Sequence, residues 1–464
     1  MRFRIFKISF ISVVLSIIFL PCAKCMVKDY LRDGFRCPPE STRPIVYWYL
    51  MNGHVSKDGI TKDLEAMSRV GIGEVFLGNI YLTRLKPGNV EIFSSGWMDC
   101  MKHAIKEASR LNMKISFFNS PGWSQSGGPW INPEESMRYL TFSDTVVESE
   151  GTINVELGKP ASFFQDVAVL AFREDMDDFN RAYCRTEPHS VSELNLFDSA
   201  FDTKCVFSCK SGDTVSVDVG FDKEFDARSL TIKPTTFCFN GYCEVFVLKN
   251  NSFVPVKKHY IDRINKGRQL GPLLDAEISI SLDDVRGKDF RICFYKVPAN
   301  FELAEICFSE KNKLEDYNEK WLNKLPNTWR PGWNAYTWSN QDCDDHKGVL
   351  DENDVINVSA LMHDGCLQWN APKGKWRIMR IGMTGTGTTN LPAPPAATGL
   401  EIDKLNRTFL QKHYDAYIGQ ILKGLTKEER KSFNRIIADS YETGPQNWTD
   451  NMQSAFIDKY VKNI

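Results

Sequence analysis

Strand and helix signals along this 464-residue chain point to an α/β fold: about half of a (β/α) barrel of the TIM type, interrupted by an inserted β-sandwich region. Three observations carry that expectation. Residues 44–119 alternate short apolar runs with amphipathic stretches of helical period. From about Tyr139 to Thr388 the period changes to two. After Asn390 the helical period returns and leads into one more short apolar run, ending at Asp439.

In the first segment Ile45 to Leu50 reads as a buried strand. Ser56 then caps a helix with Ile60, Leu64, Met67 and Val70 on one stripe, closed by Gly71. Glu74 to Leu77 is the next strand. Trp97, Met101, Ala104, Ile105, Ala108 and Leu111 stripe a second helix, and Lys114 to Phe118 form a third strand. Strand and helix in this order imply βαβ units and a parallel sheet.

In the middle region Val215, Val217, Val219 and Phe221 alternate with small or polar residues, as do Ala276, Ile278, Ile280 and Leu282. The same period reads through Arg291, Cys293, Tyr295 and Val297, and through Arg377, Met379 and Ile381. Turn signals at Asn240-Gly241, Pro298-Ala299-Asn300 and Lys373-Gly374 divide the strands of a sandwich. Beyond it, Leu405, Phe409, His413, Tyr417 and Ile421 make one helical stripe, Thr426 with Glu429 makes a capping box that opens a short charged helix, and Thr449 caps a last helix. The expected divisions are a signal peptide at 1–25, the first part of the barrel at 26–138, the β-sandwich insertion at 139–388, and the continuation of the barrel at 389–464.

Residues 1–25 have the form of an export signal. Arg2, Arg4 and Lys7 precede an apolar run from Ile8 to Leu20, and Ala23 and Cys25 supply small residues ahead of a cut before Met26. Lipoprotein processing at Cys22 or Cys25 fits less well, because Pro21 and Lys24 stand directly before them. The expected destination is the periplasm, the cell surface or the medium of a bacterium. A formal net charge of -2 leaves no electrostatic footprint for nucleic acid. The 13 cysteines show no paired CxxC spacing, so buried thiols with a few local bridges are expected rather than a structural zinc site.

Chemistry concentrates at three strand ends. Asp439-Ser440-Tyr441-Glu442 followed by Gln446-Asn447-Trp448 sets two carboxylates beside aromatic faces, the combination that sugar hydrolysis uses. Glu442, flanked by Tyr441 and Trp448, would be partly desolvated, which raises a carboxyl pKa and suits a general acid. Asp439 could orient it, bind sugar hydroxyls or ligate a cation. The stretch Asn119-Ser120-Pro121-Gly122-Trp123-Ser124-Gln125-Ser126-Gly127-Gly128-Pro129-Trp130 offers Asn119, Trp123 and Ser126 to a ligand on a loop of fixed backbone. Asn52-Gly53-His54 ends the first strand in the same way, making Asn52 and His54 candidates for substrate contact. His413, on an apolar helical stripe, reads as a satisfied core or rim histidine.

These blocks resemble glycoside hydrolase family 106, the α-L-rhamnosidases. Met51-Asn52-Gly53 with Lys57-Asp58-Gly59-Ile60 is similar to the family's opening, and Pro121-Gly122-Trp123-Ser124 with Ser126-Gly127-Gly128-Pro129-Trp130 to its most recognisable block. Gly365 to Gly374 with Trp376, Thr398-Gly399-Leu400-Glu401 with Asp403-Lys404, and Asp439 to Trp448 continue the resemblance in order. It implies a barrel interrupted by β-domains, and inverting hydrolysis of terminal α-L-rhamnose from plant polysaccharides or glycosides. Calcium is the implied cofactor, with ligands that no spacing identifies. Glu442 is the implied catalytic carboxylate, with Asp439, Tyr441 and Trp448 around the sugar. His54 departs from the polar amide expected there. The resemblance also implies a longer chain whose second carboxylate lies downstream. The expectation is therefore the N-terminal part of a rhamnosidase, its partners a rhamnose-containing glycan and a separate chain supplying the rest of the barrel. The alternative is a non-catalytic carbohydrate-binding or vestigial protein.

Overall fold

A computed structural model describes residues 30–124, 126–174, 180–198, 200, 202–235, 239–263, 275–321, 349–438, 443 and 446–461. The expected signal segment at 1–25 lies outside them, as do Asp439, Tyr441 and Glu442. The chain divides into two units, residues 1–118 with 421–437, and residues 119–420 with 438–464.

In the first unit, β1 (Ile45–Met51), α1 (Lys57–Arg69), β2 (Glu74–Ile80), α2 (Ser95–Arg110) and β3 (Lys114–Phe118) follow one another. The strands are parallel, in the order β1-β2-β3, and a return strand, Phe433–Ile437, adds to β3. Ser56 Oγ accepts the Gly59 amide and starts α1, and Ser94 Oγ accepts the Trp97 amide and starts α2. Trp48, Leu50, Val75 and Leu77 are buried, as are Ile60 and Leu64 of α1 and Trp97, Met101 and Ile105 of α2. The return strand is tied to the sheet through buried Glu74, which accepts from Ser116 Oγ (2.5 Å), Asn434 Nδ2 (3.1 Å) and Arg435 Nη2 (2.7 Å).

The second unit is mostly antiparallel β. Its larger sheet joins β7 (Arg181–Glu187), β8 (Cys205–Val206), β9 (Thr214–Pro234), β10 (Phe239–Lys249), β11 (Ser252–Arg263), β12 (Ile278–Tyr295) and β13 (Glu302–Ser309) in the order β11-β10-β12-β9-β13-β8, with β7 also on β9. Val215, Val217, Val219, Phe290, Ile292 and Phe294 form the centre of its core. Two smaller sheets are built from β4 (Arg138–Ser149), β5 (Thr152–Glu156), β6 (Gln165–Arg173), β14 (Ile356–Asn357), β15 (Met362–His363), β16 (Cys366–Asn370) and β17 (Gly374–Gly385). Their orders are β14-β6-β17-β4 and β15-β16-β5, around Leu367, Trp369, Trp376 and Ile378. The helix α3 (Arg407–Ala416) follows.

The expected fold class, an α/β partial (β/α) barrel, is therefore corrected. The chain is mostly β, three of its four sheets are antiparallel, and the parallel strands form an open four-stranded sheet rather than a barrel among the described residues. The βαβ signal is strong but confined to 45–118, whereas antiparallel pairing runs through 138–385. Two faces were also misread. On β12 the core receives Ile292 and Phe294 rather than Cys293 and Tyr295, and on β17 it receives Trp376 and Ile378 rather than Arg377, Met379 and Ile381. Both sets alternate with apolar residues, so period alone does not choose between faces. Burial keeps the thiols of Cys184 and Cys243 protonated, pushing each up to about 12.

Candidate functional site

The loop that carries Asn119, Trp123 and Ser126 is fastened to residues 390–402 by backbone and buried amide contacts. The amides of Trp123 and Ser124 both donate to the Leu391 carbonyl (3.2 and 3.1 Å), while Ser124 Oγ accepts from the Leu391 amide (2.9 Å). Asn390, fully buried, donates to the carbonyls of Pro121 (2.9 Å) and Ala397 (3.0 Å) and accepts from the Gly399 amide (2.8 Å). Gly122 sits at φ +86, and a Cβ there would stand 2.7 Å from the Leu391 carbonyl oxygen. Only glycine meets both conditions. Glu401 is fully buried; its Oε2 accepts the Ser126 amide (3.0 Å) and Lys404 Nζ (2.8 Å), and its Oε1 has no hydrogen-bond partner among the described residues.

Inside this frame Asn119 Nδ2 donates to Ser126 Oγ at 2.8 Å, so two of the expected site residues meet. Trp123 is half-buried on the same loop. Trp130 is held differently: its ring stacks on Tyr417 at 6.0 Å, and its Nε1–H donates to His413 Nδ1 at 3.1 Å. That bond makes Nδ1 the acceptor, so Nε2 carries the proton and donates to the Asn119 carbonyl at 2.7 Å. Burial of His413 lowers its pKa, consistent with this neutral tautomer. His413 thus fixes the first residue of the loop, as a satisfied core histidine does.

The segment after Glu442 is clamped. Thr443 is buried, and its hydroxyl has no hydrogen-bond partner among the described residues. Asp403 accepts through Oδ2 from Arg138 Nη2 (3.2 Å) and Thr449 Oγ1 (2.5 Å), and through Oδ1 from Gln446 Nε2 and the Leu405 amide. Arg138, with no exposed surface, also grips Asp450 in a two-pronged pair, 3.0 Å on each side, and donates to Gln165 Oε1 at 2.6 Å. Asn447 Oδ1 accepts the Leu140 amide at 2.8 Å, and Trp448 bridges to Arg138 through the backbone. Trp448 is half-buried here, and around it the side chains of Gln446, Asn447, Thr449 and Asp450 each have a hydrogen-bond partner. Asp439, Tyr441 and Glu442 themselves lie outside the described residues.

Asn52 and His54 belong to the first unit. Asn52 adopts φ 51, and its amide braces the chain after β2: Nδ2 donates to Leu82 O (2.9 Å) and Leu85 O (2.8 Å), and Oδ1 accepts the Leu82 amide (2.7 Å). Every hydrogen-bonding direction but one is then occupied. His54 Nε2 contacts the Lys86 carbonyl at 2.9 Å, and the residue lines a cavity of about 300 Å³ with Trp48, Ser56 and Asp63. Asn390, Arg138 and Asp450 stand in none of the sequence motifs, and Glu401 enters only within the family-like block Thr398 to Glu401. Each has a partner far along the chain, 265 residues away in the case of Arg138 and Asp403, and no local pattern records such a contact.

One group among the described residues could hold a metal: the ligand atoms of His259, Glu315 and Asp316 lie within 4.8 Å of one another. Lys257 Nζ already pairs with Glu315 (2.9 Å), and His259 Nε2 with Asp316 (3.1 Å). Calcium takes six to eight oxygens, so one imidazole and two carboxylates already paired do not fit it.

With this geometry in place, the chain can be set beside known proteins. A curated Formosa agariphila protein named "Putative beta-glucuronidase" is 26% identical over 430 residues, covering 92% of this chain and 25% of that protein. The structure of a rhamnosidase from Novosphingobium sp. PP1Y superimposes with a TM-score of 0.73 at 25% identity, covering 92% of this chain and 41% of that one. This chain therefore spans about a quarter of the curated relative and about two fifths of the rhamnosidase structure. The profile of glycoside hydrolase family 106, described as alpha-L-rhamnosidase, matches residues 36–463, and the chain belongs to that family.

Proposed function

We propose that this chain forms part of an inverting α-L-rhamnosidase that removes terminal L-rhamnose from plant polysaccharides or glycosides. The observation that carries the reading is the family match across residues 36–463, which includes both the Asn119–Trp130 loop and the Asp439–Trp448 segment. Inversion needs a carboxylic acid to protonate the leaving oxygen and a second carboxylate, roughly 6.5–9.5 Å away, to activate water. In this proposal Glu442 is the acid. Asp439, Tyr441 and Trp448 line the sugar from the same segment, and Asn119, Trp123 and Ser126 approach it from the loop. The second carboxylate is assigned to the part of the relatives' length that this chain does not span. The clamp on residues 446–450 supports the role of the segment, because a catalytic carboxylate needs a rigid mount.

Glu442→Gln in the complete enzyme should lower kcat on an aryl α-L-rhamnoside by about 10²–10⁴-fold with folding intact, since general acid catalysis contributes on that order. NMR of the first sugar released should show the inverted anomer. Near-normal turnover by the variant would remove Glu442 from the mechanism. The name of the Formosa agariphila relative favours a second reading, in which an aryl β-D-glucuronide is cleaved instead, and the same assay decides between them. Binding of rhamnose without any turnover of the complete enzyme would favour the carbohydrate-binding alternative. Calcium enters only as a dependence to be measured: chelation should lower activity and added calcium restore it. Export is supported by the charge-then-apolar pattern of residues 1–25, and a mature N-terminus at Met26 in the exported fraction would test it.

A further inference from the structure

At the edge of the two small sheets lies a second cavity, about 470 Å³ and open to solvent, within the size range of small-molecule sites. Arg380 of β17 forms its inner wall. Its side chain is nearly fully buried, with Nε and Nη2 donating to Asp166 Oδ1 and Oδ2 (2.7 and 2.9 Å) and Nη1 to the Leu157 carbonyl (2.6 Å). The Phe164 ring supports the guanidinium at 5.5 Å. This fork fixes the Asp166 carboxylate in one orientation, yet the Asp166 side chain remains 45% exposed and lines the cavity. Lys159, Ser359 and Asp364 add polar groups to the lining, and Val169 and Met362 add apolar ones.

Two cations and two carboxylates sum to zero, so neither an anion nor a cation gains net attraction there. What the lining offers is both donors and acceptors together with apolar side chains. We propose that this cavity is a binding site for a neutral sugar, whose adjacent hydroxyls pair with Asp166 and Lys159 while its C–H face rests on Met362. The site is separate from the loop and segment assigned to catalysis. Only the choice of rhamnose as the probe rests on the functional reading above.

Met362 supplies the reporter. In methyl-¹³C-methionine NMR of the full chain, with the peak assigned by Met362→Leu, methyl α-L-rhamnopyranoside should shift the Met362 signal saturably in the millimolar range, and galacturonate should not. Lys159→Ala and Asp364→Asn alter exposed residues, and Asp166→Asn keeps the side-chain shape. Asp166→Asn combined with Lys159→Ala should weaken binding at least about tenfold, the loss expected for a charge-assisted hydrogen bond. Absence of a saturable shift, equal affinity in the variants, or binding of galacturonate alone would overturn the proposal. Turnover of an aryl rhamnoside by the complete enzyme is read in parallel. A Met362 shift without turnover leaves this site standing and removes the rhamnosidase reading. Turnover without a shift does the reverse.

Discussion

At the scale of single residues, His413 shows how a buried histidine acts as structure and as a pH-dependent weakness together. Its two ring nitrogens join Trp130 to the Asn119 carbonyl, an arrangement that needs exactly one ring proton. Burial lowers its pKa from 6.5. Above pH 6.5 the imidazole is neutral in both folded and unfolded chains, and the contribution of the site to stability is complete. As pH falls below 6.5 the unfolded chain takes up a proton that the folded chain refuses, so stability declines until the lowered folded value is passed. The slope from one such group is at most about 1.4 kcal/mol per pH unit. Thermal melts between neutral and mildly acidic pH should show a decline in Tm that is shallower in His413→Gln. Parallel curves for the two proteins would mean that His413 protonates without cost. This histidine was readable from sequence because its neighbours on the stripe are apolar. Arg138 was not, because what marks it is burial beside Asp403 and Asp450, hundreds of positions away.

At the scale of elements, the segment following Glu442 owes its placement to Arg138, the first residue of β4. One guanidinium faces Asp403 and Asp450, and a third partner, Gln165, completes its donors on that side. Replacing it by Met would leave the fully buried Asp403 without its cation. Breaking a buried pair from one side typically costs about 3–5 kcal/mol, and Arg138→Met should lose stability of that order in urea titration. It should also make residues 443–450 more accessible to proteases. A loss confined to a few tenths of a kcal/mol would show that Thr449 and Gln446 hold Asp403 unaided. Local signals elsewhere were legible but their products were not. Thr426 and Glu429 do form the reciprocal capping pair, with bonds of 2.9 and 3.2 Å, and Lys106 with that cap pushes the Glu429 carboxyl down to about 2. The chain nevertheless makes turns rather than a helix there, since Phe433 already enters the return strand. A cap lowers the cost of starting a helix but cannot supply the length that stabilises one.

At the scale of the whole molecule, the four-stranded parallel sheet has two unlike faces. Trp48 and Leu50 are buried, whereas Ile45, Tyr47, Tyr49 and Met51, the alternate residues of β1, are 46%, 53%, 36% and 41% exposed. Tyr47 stacks on Tyr49 and meets Phe76 and Phe118 at 5.7 and 5.9 Å, and Ile436 of the return strand is also exposed. The sequence of β1 is apolar at nearly every position, which is why it reads as a strand covered on both sides. Periodicity carries no information about which face receives a cover. An aromatic patch of this kind, on a sheet whose outer strands, β1 and Phe433–Ile437, pair on one side only among the described residues, favours association with other apolar surfaces. The chain should therefore bind a hydrophobic dye and sediment as concentration-dependent multimers. Tyr47→Lys with Met51→Lys should lower both signals, because the two charges stand on the exposed face and leave Trp48 and Leu50 untouched. A dye-silent monomer at high concentration, or unchanged self-association in the double variant, would place the sticky surface elsewhere on the protein.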